Sequence, residues 1–281
     1  VTRILKVKEN RGILDYSVDN YSLETAKKVV GSDENRQLEK EIAAASVTVV
    51  KNNDNLLPLH VEADSKVLML CPNDNERAQL VMGWNRAKEE GLIPEGAQLN
   101  FTTYKSEKIS DSLKAMLDWA DYIFVISEVD STAKMGYASW ESLGPENLVN
   151  YAKSKGKKAI IISAEKPYDV QLYSNADAIM AVYGCKGSGA DPTEALIGGA
   201  TGTSLAYGPN IIAGIEVAFG VFGAKGKLPV NVPEFDKVLM EFTREIIYPR
   251  GFGLTYEKIE NEDTIIPSEP STIVLSQQEF I

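Results

Sequence analysis

The sequence predicts an α/β fold: a doubly wound, mostly parallel sheet sandwiched between helices. Three observations predict it. Continuous apolar runs at Val67-Leu-Met-Leu-Cys71, Tyr122-Ile-Phe-Val-Ile-Ser127, Ala159-Ile-Ile-Ile-Ser163 and Ala178-Ile-Met-Ala-Val-Tyr183 read as strands covered on both faces. Helical patterns of crossover length lie between them, at 76–90, 110–120 and 145–154. Each run also closes on a polar or loop-like residue, where a buried strand would surface.

Taken in chain order, 1–14 carries apolar residues at Ile4, Leu5, Val7 and Leu14 with bases between them, and Gly12 offers a stop. So short a helix is marginal alone, which predicts packing on another element. It starts without Met, as if inside a helix, and so reads as part of something longer. Residues 22–30 and 33–50 are helical patterns. In the second, Asp33 is the expected cap, with Arg36, Glu39 and Lys40 outward and Ile42, Ala43 and Val47 inward. Residues 99–104 alternate and suit an edge strand. The stretch 184–208 holds seven glycines, and a loop of that length in a compact domain tends to be functional. Residues 209–221 read as a helix, and the polar tail after Tyr256 as surface chain.

Composition narrows the function. The chain has 281 residues, 44% hydrophobic and 25% charged, which suits a globular protein with a sizeable core. Its net charge of −11 argues against nucleic acid or an anionic membrane as partner, since both need clustered bases. No apolar stretch is long enough to span a bilayer, and Lys and Arg interrupt the first residues as no signal peptide allows. Cys71 and Cys185 follow apolar runs and suit core positions. One His and two Cys make no zinc site, so neither metal nor cofactor is expected.

Several motifs come close to a chemistry and miss it. Gly220-Val-Phe-Gly-Ala-Lys-Gly-Lys-Leu228 has phosphate-loop residues at the wrong spacing, with Leu228 where a hydroxyl should hold magnesium, and reads as a turn. Gly184-Cys-Lys-Gly-Ser-Gly189 lacks a third glycine in register but follows a strand, which keeps Lys186 and Ser188 as candidates for an anion or sugar contact. His60 follows a Pro-containing loop, far from any nucleophile pattern. Paired carboxylates can divide general acid and general base work between them. Glu128, Asp130 and Glu141 follow the Ile126 strand, at the sheet end where ligands gather; a solvated loop or helix start is the plainer role for each.

Ser46-Val-Thr-Val-Val-Lys-Asn-Asn-Asp-Asn-Leu-Leu-Pro-Leu59, Ser163-Ala-Glu-Lys-Pro-Tyr168, Ala176-Asp-Ala-Ile-Met-Ala-Val-Tyr-Gly184, Gly226-Lys-Leu-Pro-Val230 and Tyr248-Pro-Arg-Gly-Phe-Gly-Leu254 occur in an order that resembles the C-terminal α/β sandwich of glycoside hydrolase family 3. Lys28-Val-Val-Gly31, Ala181-Val-Tyr-Gly184 and Pro209-Asn-Ile211 are similar to the branch of two-domain bacterial exo-β-N-acetylglucosaminidases. The resemblance implies a segment over 1–60 leading from a catalytic (β/α)8 barrel, a sandwich over 61–256 and a tail over 257–281. In that branch the catalytic residues belong to the barrel, so none is carried over to this chain. The loop from Glu128 to Tyr137 also lacks the Glu-Gly-Asp-Arg cluster that carries the acid in the β-glucosidase branch. The implied partners are the barrel and an N-acetylglucosamine-containing glycan. The resemblance points to the bacterial cell wall, while the residues themselves leave the compartment open. Two rivals stay open: a β-glucosidase-type enzyme using Glu128 or Glu141, and a stand-alone carbohydrate- or anion-binding module.

Overall fold

The structure, a computed structural model, describes residues 1–15, 22–30, 32–185 and 208–260. Its helices are α1 (Thr2–Asn10), α2 (Leu23–Val29), α3 (Asp33–Ser46), α4 (Arg77–Glu89), α5 (Asp111–Trp119), α6 (Trp140–Ser154) and α7 (Pro209–Ala218). Its strands are β1 (Thr48–Asn52), β2 (Lys66–Cys71), β3 (Gln98–Thr103), β4 (Tyr122–Ser127), β5 (Lys158–Ser163), β6 (Ala178–Ala181), β7 (Val232–Asp236) and β8 (Glu241–Tyr248). A six-stranded sheet runs in the order β1-β6-β5-β4-β2-β3, and β7 pairs with β8 in a separate hairpin. Strands β2 to β6 are parallel to their neighbours, whereas β1 is antiparallel to β6.

Side-chain alternation explains the three layers. On one face Val67, Met69, Phe124, Ile126, Ile160 and Ile162 pack against Leu80 and Trp84 of α4 and Ile215 of α7. Phe219, just past α7, stacks on Phe124 at 5.7 Å and meets Trp84 edge-on at 5.6 Å. On the other face Leu68, Leu70, Ile123, Val125, Ala159 and Ile161 pack against Leu117 of α5, Leu148 and Val149 of α6, and Tyr173. Both faces are dry, so the strands read as unbroken apolar runs. Glu216 of α7 is fully buried and bound by Lys40 of α3 at 3.0 Å and Arg86 of α4 at 3.6 Å. That triad locks three helices together, since a buried carboxylate left without its partners would be costly.

Several expectations need correction. The helical pattern over 33–50 stops at Ser46, and the apolar Thr48-Val-Val50 becomes an edge strand instead. Ser32, not Asp33, accepts the capping bond, from Asn35 N–H. Ala43 and Val47 are buried as expected, but Ile42 is 60% exposed. Helix α1 buries none of its residues, against the expectation that it packs on a neighbour. Helix α6 begins a turn before Pro145 and runs through it. The segment around Leu99 is indeed an edge strand, bonded only to β2. Both cysteines are free and buried.

The segments that carried the family resemblance converge on β1. Asn52 Nδ2 donates to Leu57 O at 2.8 Å, and Leu57 N–H donates to Asn52 Oδ1 at 2.8 Å, which sets the Leu-Leu-Pro-Leu turn. Leu254 N–H donates to Val49 O at 2.7 Å, and Gly226 N–H donates to Val47 O at 3.2 Å. A Cβ on Gly226 would lie 2.4 Å from the carbonyl oxygens of Ser46 and Val47, and one on Gly253 would lie 2.3 Å from Gly226 O. Only glycine permits that approach. Gly226→Ala is therefore expected to cost on the order of 2–3 kcal/mol, through forced backbone shifts. Urea unfolding measures it, and a midpoint equal to wild type would contradict the packing.

Candidate functional site

In an open parallel sheet, ligand sites form where strand order reverses, at the carboxyl ends of the strands. Here β3 lies to one side of β2, while β4, β5 and β6 follow on the other. The reversal therefore lies between β2 and β4. Glu128 follows β4 at this point, as the sequence placed it.

Its partners come from the turn after β2. Asn73 Nδ2 donates to Glu128 Oε2 at 2.8 Å and to Glu76 Oε1 at 3.1 Å, while Asn73 N–H donates to Glu76 Oε2 at 3.3 Å. Asn73 and Glu76 form a capping box that starts the path into α4. Glu76 is 1% exposed, and Glu128 Oε1 is shielded from solvent with no hydrogen-bond partner. Burial, then the adjoining Glu128 carboxyl, holds Glu76 above the usual carboxylate range. Cys185, beyond β6, donates from Sγ to Glu165 Oε1 at 2.9 Å, and Gln79 Nε2 donates to Cys185 O at 3.1 Å. Burial pushes the Cys185 thiol up, which disfavours its thiolate.

The other predicted residues do not join this cluster. Asp130 lines a separate small crevice with Lys166, Tyr168 and Phe242. Lys134 Nζ donates to its Oδ2 at 2.9 Å, and that bond holds the Asp130 carboxyl below its ordinary range. Glu141 sits in the first turn of α6, where an acid suits the helix dipole, and accepts from Ser139 Oγ at 2.7 Å. Lys186 and Ser188 lie outside the described residues. Sequence reasoning missed Asn73 and Glu76: the Asn-x-x-Glu spacing marks a helix start, but nothing in it signals the meeting with Glu128. Among the described residues no group of His, Cys, Asp and Glu is arranged to hold a metal ion, and no helix is long and apolar enough to cross a membrane.

A second buried network ties the ends of β4 and β5. Ser127 Oγ donates to Asp169 Oδ2 at 2.6 Å and Ser163 Oγ to Asp169 Oδ1 at 2.5 Å. Tyr173 OH shares a 2.6 Å bond with Ser127 Oγ. Burial pushes Asp169 up to about 7 despite these bonds.

No family model matches the chain. It is 26% identical over 227 residues to β-hexosaminidase A of Pseudoalteromonas piscicida, covering 75% of this chain and 35% of that protein. It is 22% identical over 299 residues to a putative β-xylosidase of Formosa agariphila, covering 94% of this chain and 36% of that one. Among solved structures, a Listeria innocua β-glucosidase in complex with glucose superposes with a TM-score of 0.60 at 13% identity, covering 90% of this chain and 38% of the enzyme. A fungal multi-domain GH3 β-N-acetylglucosaminidase superposes at 0.53 and 19% identity, covering 82% and 21%. The chain thus spans little more than a third of the length of these curated relatives.

Asp169 gives this end of the sheet a pH signature. Its folded carboxyl keeps its proton to about 7, whereas the ordinary value is 3.8. The folded state thus binds more protons between the two, and stability falls as pH rises through that window, by up to about 4 kcal/mol. Asp169→Asn removes the titration. Urea unfolding at about pH 4.5 and about pH 7.5 should show the variant gaining on wild type at the higher pH. A constant difference would rule out a titrating Asp169.

Proposed function

We propose that this chain, which shares the α/β fold of family 3 glycoside hydrolases and aligns with a β-hexosaminidase, is the non-catalytic C-terminal domain of a family 3 β-N-acetylglucosaminidase acting on terminal N-acetylglucosamine in cell-wall or chitin-type glycans. The alignment with a β-hexosaminidase over 75% of the chain supports the substrate class. One geometric observation carries the non-catalytic part. Glu76 and Glu128 both bond the same amide nitrogen of Asn73, at 3.1 and 2.8 Å. Retaining glycosidases hold their two carboxyls about 5–5.5 Å apart across the sugar, and inverting ones wider still. A closed, amide-bridged pair leaves no room for a ring between its oxygens. Asp130 is occupied by Lys134, and Glu141 by its helix start.

In this reading the chemistry belongs to a (β/α)8 barrel in the same polypeptide, and residues 1–60 lead from it into the sandwich over 61–256. The sandwich supports the barrel and walls one side of the cleft with its strand-end loops. Glu128, Asp130, Glu141, Lys186 and Ser188 are the residues assigned to that wall. A catalytic Glu128 is the second reading, favoured by its place at the strand-order reversal and its unpartnered Oε1.

Turnover of aryl β-N-acetylglucosaminide, β-glucoside and β-xyloside, by this chain alone and by the longer polypeptide carrying the barrel, separates the readings. Only the longer protein should act, and on the N-acetylglucosaminide. Activity in this chain alone would overturn the support role, and a longer protein that prefers the glucoside or xyloside would overturn the substrate class. Glu128→Gln and Glu141→Gln in the longer protein should leave kcat within about threefold of wild type, whereas loss of a general acid typically costs about 10²–10⁴-fold.

A further inference from the structure

Among the described residues, the two carboxyls at the strand-order reversal have a single amide bonded to both and no cation paired with either. Arg77, beside Glu76 in sequence, turns instead to Asp74 at 3.9 Å and to the ring of Phe101 at 5.1 Å. Lys134, on the loop after β4, gives its ammonium to Asp130. The other titratable groups near the pair among the described residues are neutral or acidic: Cys71 from β2, Asp74 from the turn after it, Tyr104 from the end of β3, Glu165 after β5 and Cys185 after β6. Two ionised carboxylates bonded to one amide nitrogen, one of them in a residue 1% exposed, would repel with little water to screen them. A single proton turns that repulsion into a hydrogen bond, as in any close carboxyl pair. Asn73 fits this arrangement, since its one amide group donates to one oxygen of each acid and leaves Glu128 Oε1 without a partner.

We propose that Glu76 and Glu128 share one proton at neutral pH and so form a proton-dependent clasp that holds the loop after β4 against the start of α4. Closed, the clasp fixes Glu128 and the residues that follow it, Asp130 and Lys134 among them. Loss of the proton to solvent base leaves two carboxylates facing one amide, and the loop separates from the turn after β2. The inference does not depend on which glycan the parent protein cleaves. It concerns the mechanical coupling of two strand ends in this chain, so it survives the failure of the hexosaminidase reading.

Two measurements on the full chain test it. The first is a ¹³C titration of the Glu side-chain carboxyls in the unaltered protein from about pH 4 to about pH 10. One carboxyl should titrate well to the alkaline side of neutrality, in the range near 8–9 documented for buried Glu. If every Glu titrates in the ordinary range near 4–5, the shared proton does not exist. The second is amide exchange of 73–80 and 128–139 between about pH 7 and about pH 10, corrected for intrinsic base catalysis and referred to β5. Wild type should lose at least about tenfold in protection at the alkaline end, while Glu76→Gln, whose amide donates at any pH, should lose none. An equal alkaline loss in Glu76→Gln and wild type would overturn the clasp.

Discussion

The contact on which the architecture depends is the approach of two glycine backbones, Gly226 and Gly253, to the start of β1. Strand β1 is antiparallel and lies at the sheet's edge, where an unpaired strand would leave its N–H and C=O groups open. Leu254 donates to Val49 O within the strand and Gly226 to Val47 O just before it, so segments far apart in the chain close one seam. The resemblance to family 3 was carried largely by these segments. Their residues are demanded by backbone proximity, not by a reaction, so the motifs report ancestry of fold and leave the chemistry to be argued elsewhere.

The carboxyl ends of the parallel strands hold most of the buried polarity. Asp169 is enclosed by two hydroxyls from β4 and β5, Glu76 by one amide and a second acid, and Glu216, away from this end, by two cations. These arrangements handle the cost of an enclosed carboxyl in different ways. Glu216 is neutralised by Lys40 and Arg86, whereas Asp169 and Glu76 are shifted upward, mainly by burial. Those two upward shifts make the stability of this end of the sheet depend on pH.

Much of the fold could be read from sequence because the central strands are dry on both faces, and runs such as Ala159-Ile-Ile-Ile162 admit few alternatives. Strand β1 was hidden because Ala43, Ala44 and Val47 continue into Thr48-Val-Val50 without a break, and residue type alone does not mark the change from a helix to a strand. Pro145 misled because it usually opens a helix, yet α6 starts earlier and carries it in its second turn. Ile42 looked like core because its period fits, but the face of α3 on which it lies is exposed. At the site, Glu128 was legible from its place after a buried strand. Glu76 was not, because it reads as the first residue of a solvated helix, and only the fold brings it to Glu128.

The seam at β1 has a further consequence. The strand by which the chain enters the sheet and the segment by which it leaves lie side by side, joined through Val49 and Leu254. A unit whose way in and way out are neighbours behaves as a cassette: it can be spliced into a surface loop of a host protein, or have its ends rejoined and reopened elsewhere, without unthreading its sheet.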